Sequence, residues 1–228
     1  TNEINKILEN VVYDFSITKI NNFLITKITG ETAPSLVFYD LDKKNIIKPK
    51  LDLNKEIIKQ GEVNNIENIW YVIIKPDYFD NTKYYNLIIW LHGGPHRQTS
   101  TGYHPYSSYG YFDLLLEKLR RLEYLIVKID YIGSFGYGRK FAEELKNNIG
   151  KKDVESVMKA INHLKSNYKI KDIYLMGNSY GGYLSLKTIY EYPYDINGAI
   201  SINGVTDWWT MINNNKNSIF KTHFNGYP

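Results

Sequence analysis

The sequence predicts an α/β protein built on a mainly parallel sheet. From about residue 62 onward, short apolar runs alternate with amphipathic stretches of helical spacing, the order expected of βαβ units. The apolar runs are continuous rather than strictly alternating, as strands covered on both faces require. Ahead of them, residues 11–50 hold short apolar runs broken by turn residues, with no helical period. That texture predicts a short all-β segment.

In the first segment "FLITKI" (23–28) and "SLVFYDL" (35–41) are predicted strands, with "TGETAPS" (29–35) as the turn between them. A boundary is expected near residues 50–62, giving a 1–61 segment and a 62–228 domain. Beyond it, "NIWYVIIKP" (68–76) and "YNLIIWLHGG" (85–94) are predicted strands. "YFDLLLEKLRRL" (111–122) places Phe112, Leu115, Leu116 and Leu119 at helical spacing. "YLIVKIDY" (124–131) is a buried strand, and "GRKFAEELKN" (138–147) a helix. A second helix, "DVESVMKAINHLKSN" (153–167), carries Val154, Val157, Met158, Ile161 and Leu164 on one face, with Asp153 as its expected N-cap. "IYLMG" (173–177), "YGGYLSLKTIYEY" (180–192) and "GAISING" (198–204) then read as strand, helix and strand.

Composition narrows the function classes. The 228 residues include no cysteine, which excludes disulfides, zinc–thiolate sites and thiol nucleophiles and favours a cytoplasmic setting. The net charge of +4 is small and dispersed. Pairs such as Lys43–Lys44 and Lys151–Lys152 read as solvated surface, so no nucleic-acid partner is expected. No apolar run approaches the length of a membrane span. The chain opens on Thr1 without a signal-peptide pattern, and its N-terminus is expected to be processed, trimmed or incomplete. The histidines show no metal-binding spacing, and neither a metal nor an organic cofactor is implied.

The chemistry concentrates in two turns. In "YLMGNSYGG" (174–182), Gly177, Ser179 and Gly181 fill G-x-S-x-G between a strand and a helix. Such a turn pushes a serine hydroxyl out at the carboxyl edge of a sheet. Its neighbours must lack side chains for the turn to close. Free N–H groups of the following helix face the place where negative charge develops, and the N–H of Tyr180 is the expected oxyanion donor. Upstream, "WLHGGPH" (90–96) follows a strand directly. Hydrolases with such an elbow take a second oxyanion N–H from the loop after strand 3, and that donor is assigned to Gly94. His92 is read as packing within the loop, because in this arrangement the catalytic histidine follows the serine in chain order.

Together "LHGGPH", "YIGSFGYGRKFAEELKNNIGKKDVESV", "GNSYGGY" and "GVTDW" closely resemble the catalytic domain of the prolyl oligopeptidase family of serine peptidases. Its acylaminoacyl-peptidase-like and dipeptidyl-peptidase-like branches are nearest. The resemblance runs from about residue 62 to the end, and residues 11–50 resemble the tail of the β-propeller that precedes this domain in the family. It implies an α/β-hydrolase fold and hydrolysis of short peptides or N-blocked amino acids. Carried over by position, Ser179 is the nucleophile, and Gly94 and Tyr180 supply the oxyanion N–H groups. Gly136, Gly138, Gly150 and Asp153 match structural positions. Ile132 departs from the family, which has arginine before "GS"; looser packing of that loop is expected.

A triad of this order runs serine, then acid, then histidine. After Ser179 come Glu191, Asp195, Asp207 and His223. Asp195 lies in the turn after the elbow helix, and Asp207 matches a pocket-wall segment of the family. His223 stands too close to Asp207 for the two further strands that normally carry acid and base. The chain is therefore expected to be incomplete: a propeller remnant plus a truncated hydrolase domain, inactive alone because the catalytic Asp and His are missing and a serine without a base is a poor nucleophile. A carboxylesterase of the same fold and a non-catalytic fragment or pseudoenzyme are the alternatives. Trp208, Trp209, Phe220 and Phe224 read as core more than as pocket wall. The sequence does not specify the oligomeric state.

Overall fold

A computed structural model describes residues 11–16, 23–29, 35–40, 42–47, 57–214 and 219–224. The predicted turn at 30–34 and residues 50–56 of the predicted boundary lie outside them. The chain divides into two compact units, one of residues 1–61 and 100–118, the other of residues 62–99 and 119–228.

The first unit contains a four-stranded antiparallel sheet in the order β1-β2-β3-β4. Its strands are β1 (Val11–Ser16), β2 (Phe23–Thr29), β3 (Ser35–Asp40) and β4 (Asn45–Ile47). The β3–β4 turn is closed by the Asp40 carboxylate, which accepts the N–H groups of Asp42 and Lys43 at 3.0 Å each, the usual Asx device for a tight reversal. A 3-10 turn (Ser107–Tyr109) leads into α1 (Gly110–Arg121). Asp113 in the first turn of α1 accepts the His104 N–H at 2.7 Å.

The second unit is built on a six-stranded sheet in the order β10-β9-β7-β8-β6-β5. These are β5 (Glu62–Ile66), β6 (Ile69–Ile74), β7 (Tyr85–Leu91), β8 (Leu125–Asp130), β9 (Ile170–Asn178) and β10 (Gly198–Ile202). β7, β8, β9 and β10 run parallel, while β5 and β6 join antiparallel at one edge. β7 and β8 are buried almost throughout, which explains their unbroken apolar sequence. β5 carries the largely exposed "EVNNI" and escapes a search for apolar runs.

α3 (Lys152–Asn167) and α4 (Tyr180–Glu191) pack side by side, α3 over β5 and β6 and α4 over β7, β9 and β10. Val154, Val157, Met158, Ile161 and Leu164 of α3 are buried as their spacing requires. Asp153 is not the cap: Lys151 is the N-cap residue, and Asp153 is buried in the first turn. The helix predicted over 138–147 is shorter, α2 (Arg139–Glu143). Asn147 takes φ 59° and its N–H goes to the His223 carbonyl at 2.6 Å, so the helical ladder cannot continue. α5 (Trp208–Asn214) and a 3-10 turn (Ile219–His223) close the described chain.

Register brings Leu91, Gly177 and Ser201 into one row at the carboxyl ends of β7, β9 and β10. Asp130 ends β8 at the same edge, where parallel α/β sheets place their ligands. No helix among the described residues is long and apolar enough to cross a membrane.

Ile89, at the centre of β7, is completely buried in the main apolar cluster. Ile89→Ala is expected to cost about 2–5 kcal/mol through lost transfer energy and a residual cavity, read as a lower urea midpoint at unchanged slope.

Candidate active site

β9 runs into α4 through Ser179, whose backbone sits at φ 54°, ψ −116°. A non-glycine residue there carries strain of order 1–3 kcal/mol and persists only where its surroundings over-determine it. They do so here. The Ser179 N–H donates to the Ile202 carbonyl at 2.8 Å, and the Ser179 carbonyl accepts the Tyr183 N–H at 3.1 Å. A β-carbon on Gly177 would fall 2.1 Å from the Gly181 carbonyl oxygen, and one on Gly181 would fall 1.9 Å from that of Leu91. Gly182 and Gly204 also face each other on the β10 side, where a β-carbon on either would fall 2.8–2.9 Å from the other's backbone, a pairing that the G-x-S-x-G pattern does not reveal. The serine is half-buried, and its hydroxyl makes no hydrogen bond among the described residues. Tyr180 opens α4, so its N–H is among the helix-start donors that have no partner within the helix.

The loop after β7 begins against this turn, because the space beside Gly181 is taken by the carbonyls of Leu91 and His92. Gly94 adopts φ 133°, which glycine alone takes readily. Both ends of the loop converge on Asp130, which is 1% exposed. Its Oδ1 accepts the Thr99 N–H at 2.8 Å and lies 3.3 Å from His92 Nε2. Its Oδ2 accepts the hydroxyls of Thr99 at 3.1 Å and Tyr137 at 2.5 Å. Burial and then the Asp130 carboxylate raise the Tyr137 phenol far above its usual range.

His92 lies within this network. It is buried, stacked on Tyr131, with Nδ1 2.8 Å from the Gly93 carbonyl and Nε2 2.9 Å from the Ser134 hydroxyl. His96 Nδ1 donates to the Gly133 carbonyl at 2.7 Å, which leaves its Nε2 to accept from His223 Nε2 at 3.0 Å. The His223 ring thus faces His96. Among the described residues no imidazole hydrogen-bonds the Ser179 hydroxyl. Ile132 packs partly against the core, and its N–H donates to the Ser156 hydroxyl at 3.2 Å. Asp207 caps α5 by accepting the Trp209 and Thr210 N–H groups. No group of three or more histidine, aspartate or glutamate residues able to hold a metal occurs among the described residues.

Tyr180 is fully enclosed. Its ring packs among Tyr131, Trp208 and Phe220, and its hydroxyl donates to Asp153 Oδ2 at 2.6 Å. Trp208 and Phe220 therefore serve as core, while Trp209 is exposed. Burial pushes the Asp153 carboxyl up, opposed by its hydrogen bonds from Tyr180 and from backbone N–H groups. Burial, then the Asp153 charge, push the Tyr180 phenol well above its normal value. The Asp153–Tyr180 bond joins residues 27 apart in sequence, and no local pattern announces it.

The model of the prolyl oligopeptidase family matches residues 110–228. The acylamino-acid-releasing enzyme of Mus musculus is 25% identical over 155 residues, covering 64% of this chain and 20% of that protein. The uncharacterized peptidase YuxL of Bacillus subtilis is 26% identical over 187 residues, covering 76% of this chain and 27% of that protein. The chain thus spans about a fifth to a quarter of the length of these relatives. The acylaminoacyl peptidase of Pyrococcus horikoshii superposes with a TM-score of 0.72 at 20% identity, over 97% of this chain and 35% of that one.

Gly181→Ala is expected to destabilise by about 1–3 kcal/mol or more, since the methyl group would displace backbone. Gly110→Ala, with nothing within 4 Å of the added carbon, should be neutral or stabilise by up to about 1 kcal/mol. Paired urea titrations of the two variants check this contrast.

Proposed function

The chain belongs to the prolyl oligopeptidase family, and from that premise we propose that it is the nucleophile-bearing part of a serine peptidase acting on short or N-acylated peptides in the cytoplasm. The observation that carries this is Ser179: a strained residue at φ 54°, on a strand-to-helix turn, with its hydroxyl unengaged among the described residues. Strain of that kind is kept where a reactive atom must stand proud of its surroundings. The peptide substrate class comes from the acylamino-acid-releasing relatives. The four-stranded antiparallel sheet of the first unit matches the architecture of one propeller blade.

In the proposed reaction Ser179 Oγ attacks the scissile carbonyl carbon and gives its proton to a base. The carbonyl oxygen becomes an oxyanion held by the N–H groups of Gly94 and Tyr180. Collapse expels the amine, protonated by the same base, and leaves an acyl-enzyme ester that water hydrolyses. No described imidazole hydrogen-bonds Ser179, so the base is assigned to chain outside the described residues. On this reading the 228 residues alone react slowly, since loss of triad members costs about 10⁶-fold in rate.

A fluorophosphonate probe tests this. The 228-residue chain should label weakly, and Ser179→Ala should abolish the labelling. Labelling that survives Ser179→Ala would overturn the nucleophile assignment. Rapid labelling of the chain alone would show that it carries its own base.

A further inference from the structure

Each half of the oxyanion hole has a buried carboxylate behind it. The geometry points to Asp130 and Asp153 as positioning residues that aim, respectively, the Gly94 and Tyr180 N–H groups at the oxygen that becomes negative. The inference rests on the reading of Ser179 as nucleophile and of these two amides as its oxyanion donors.

The Gly94 half is a loop clamped at both ends. His92, two residues before Gly94, faces Asp130 at 3.3 Å, and Thr99, five residues after it, donates twice to the same carboxylate. Tyr137 adds a third polar partner from the next loop. One side chain thus ties both ends of a glycine-containing loop, whose middle is further held by His96 against Phe135 and the Gly133 carbonyl. The Tyr180 half is built differently. Here the donor residue's own phenol is the handle, gripped by Asp153 at 2.6 Å. Asp153 is itself held by backbone N–H groups at the start of α3, including that of Val154 at 3.0 Å. Rotation of the Tyr180 backbone would drag a ring packed among Tyr131, Trp208 and Phe220 and break that bond. Both acids are at most 1% exposed, and no lysine or arginine pairs with either among the described residues. Hydrogen bonds from Thr99, Tyr137 and Tyr180 meet much of their cost of burial.

A merely structural role predicts lower stability and unchanged chemistry. A positioning role predicts selective loss of affinity for the tetrahedral state, because an amide displaced by under an ångström still lets substrate bind. The test uses the intact protein and its variants Asp130→Asn, Asp153→Asn and Tyr180→Phe. An N-acylated peptide amide is the substrate, and the matching peptidyl boronic acid is the tetrahedral analogue. We expect kcat and boronate affinity to fall together by about 10–10²-fold, less than loss of a whole donor, with KM within about 3-fold. Asp153→Asn and Tyr180→Phe should lose less together than the sum of their separate losses, since both act on the Tyr180–Asp153 bond. If the asparagine variants do not fold, Tyr180→Phe and Tyr137→Phe break the same clamps one bond at a time. Folded variants whose kcat and boronate affinity stay within about 3-fold of the parent would overturn the inference. Ser179→Ala separates the two levels. If it keeps full activity, the underlying assignment fails. If it is inactive while the acid variants are normal, the positioning role alone fails. An intact protein that neither turns over nor binds the boronate counts against both.

Discussion

The approach of Gly181 to the Leu91 carbonyl oxygen sets how the ends of β7 and β9 meet. The two strands are neighbours in register, Leu91 opposite Gly177, and β10 flanks β9 with Ser201 opposite the same glycine. The elbow is pressed from both sides by main chain: Leu91 and His92 on one, Gly204 on the other, where the Ser201 hydroxyl adds a side-chain contact. Backbone contacts of this kind cannot relax by changing a rotamer. The distance between the serine turn and the loop after β7 is therefore a property of the sheet itself, and every later feature of the site is referred to it.

Around that fixed frame the site is tuned by buried polar groups. Two acids, two tyrosines and a histidine lie almost without solvent at the carboxyl edge of the sheet, with half-buried Tyr137 beside them, and they satisfy one another within hydrogen-bond distance. In a low-dielectric interior such groups are strongly interdependent, and a network missing one member destabilises the rest. The aromatic faces of Tyr131 and Tyr180 stack across this region, so the apolar core extends to the reacting edge without a gap.

What the sequence disclosed and what it withheld follow the range of the signal. β6, β7, β8, α3 and α4 were legible because burial imposes a local period or an unbroken apolar run on them. The elbow was legible because close backbone approach demands glycine at fixed offsets from Ser179. β5 was hidden by its exposed, polar sequence at the sheet edge. α2 was overextended because the N–H of Asn147, at the far end of the predicted span, goes to a carbonyl from His223, distant in the chain. Asp153 looked like a cap since it stands beside a helix start, but its partner is Tyr180. The tie of His96 to His223 spans 127 residues and leaves no trace in either neighbourhood. Local pattern reports what an element needs; it does not report which single side chains the fold later brings together.

The positive φ of Ser179 has a consequence for the history of the molecule. Conformational preference alone would place glycine at that position, which sits there without strain. A lineage that no longer used the hydroxyl would be free to drift toward the relaxed residue. The strain is therefore a standing cost of keeping the hydroxyl, one that a glycine there would not carry.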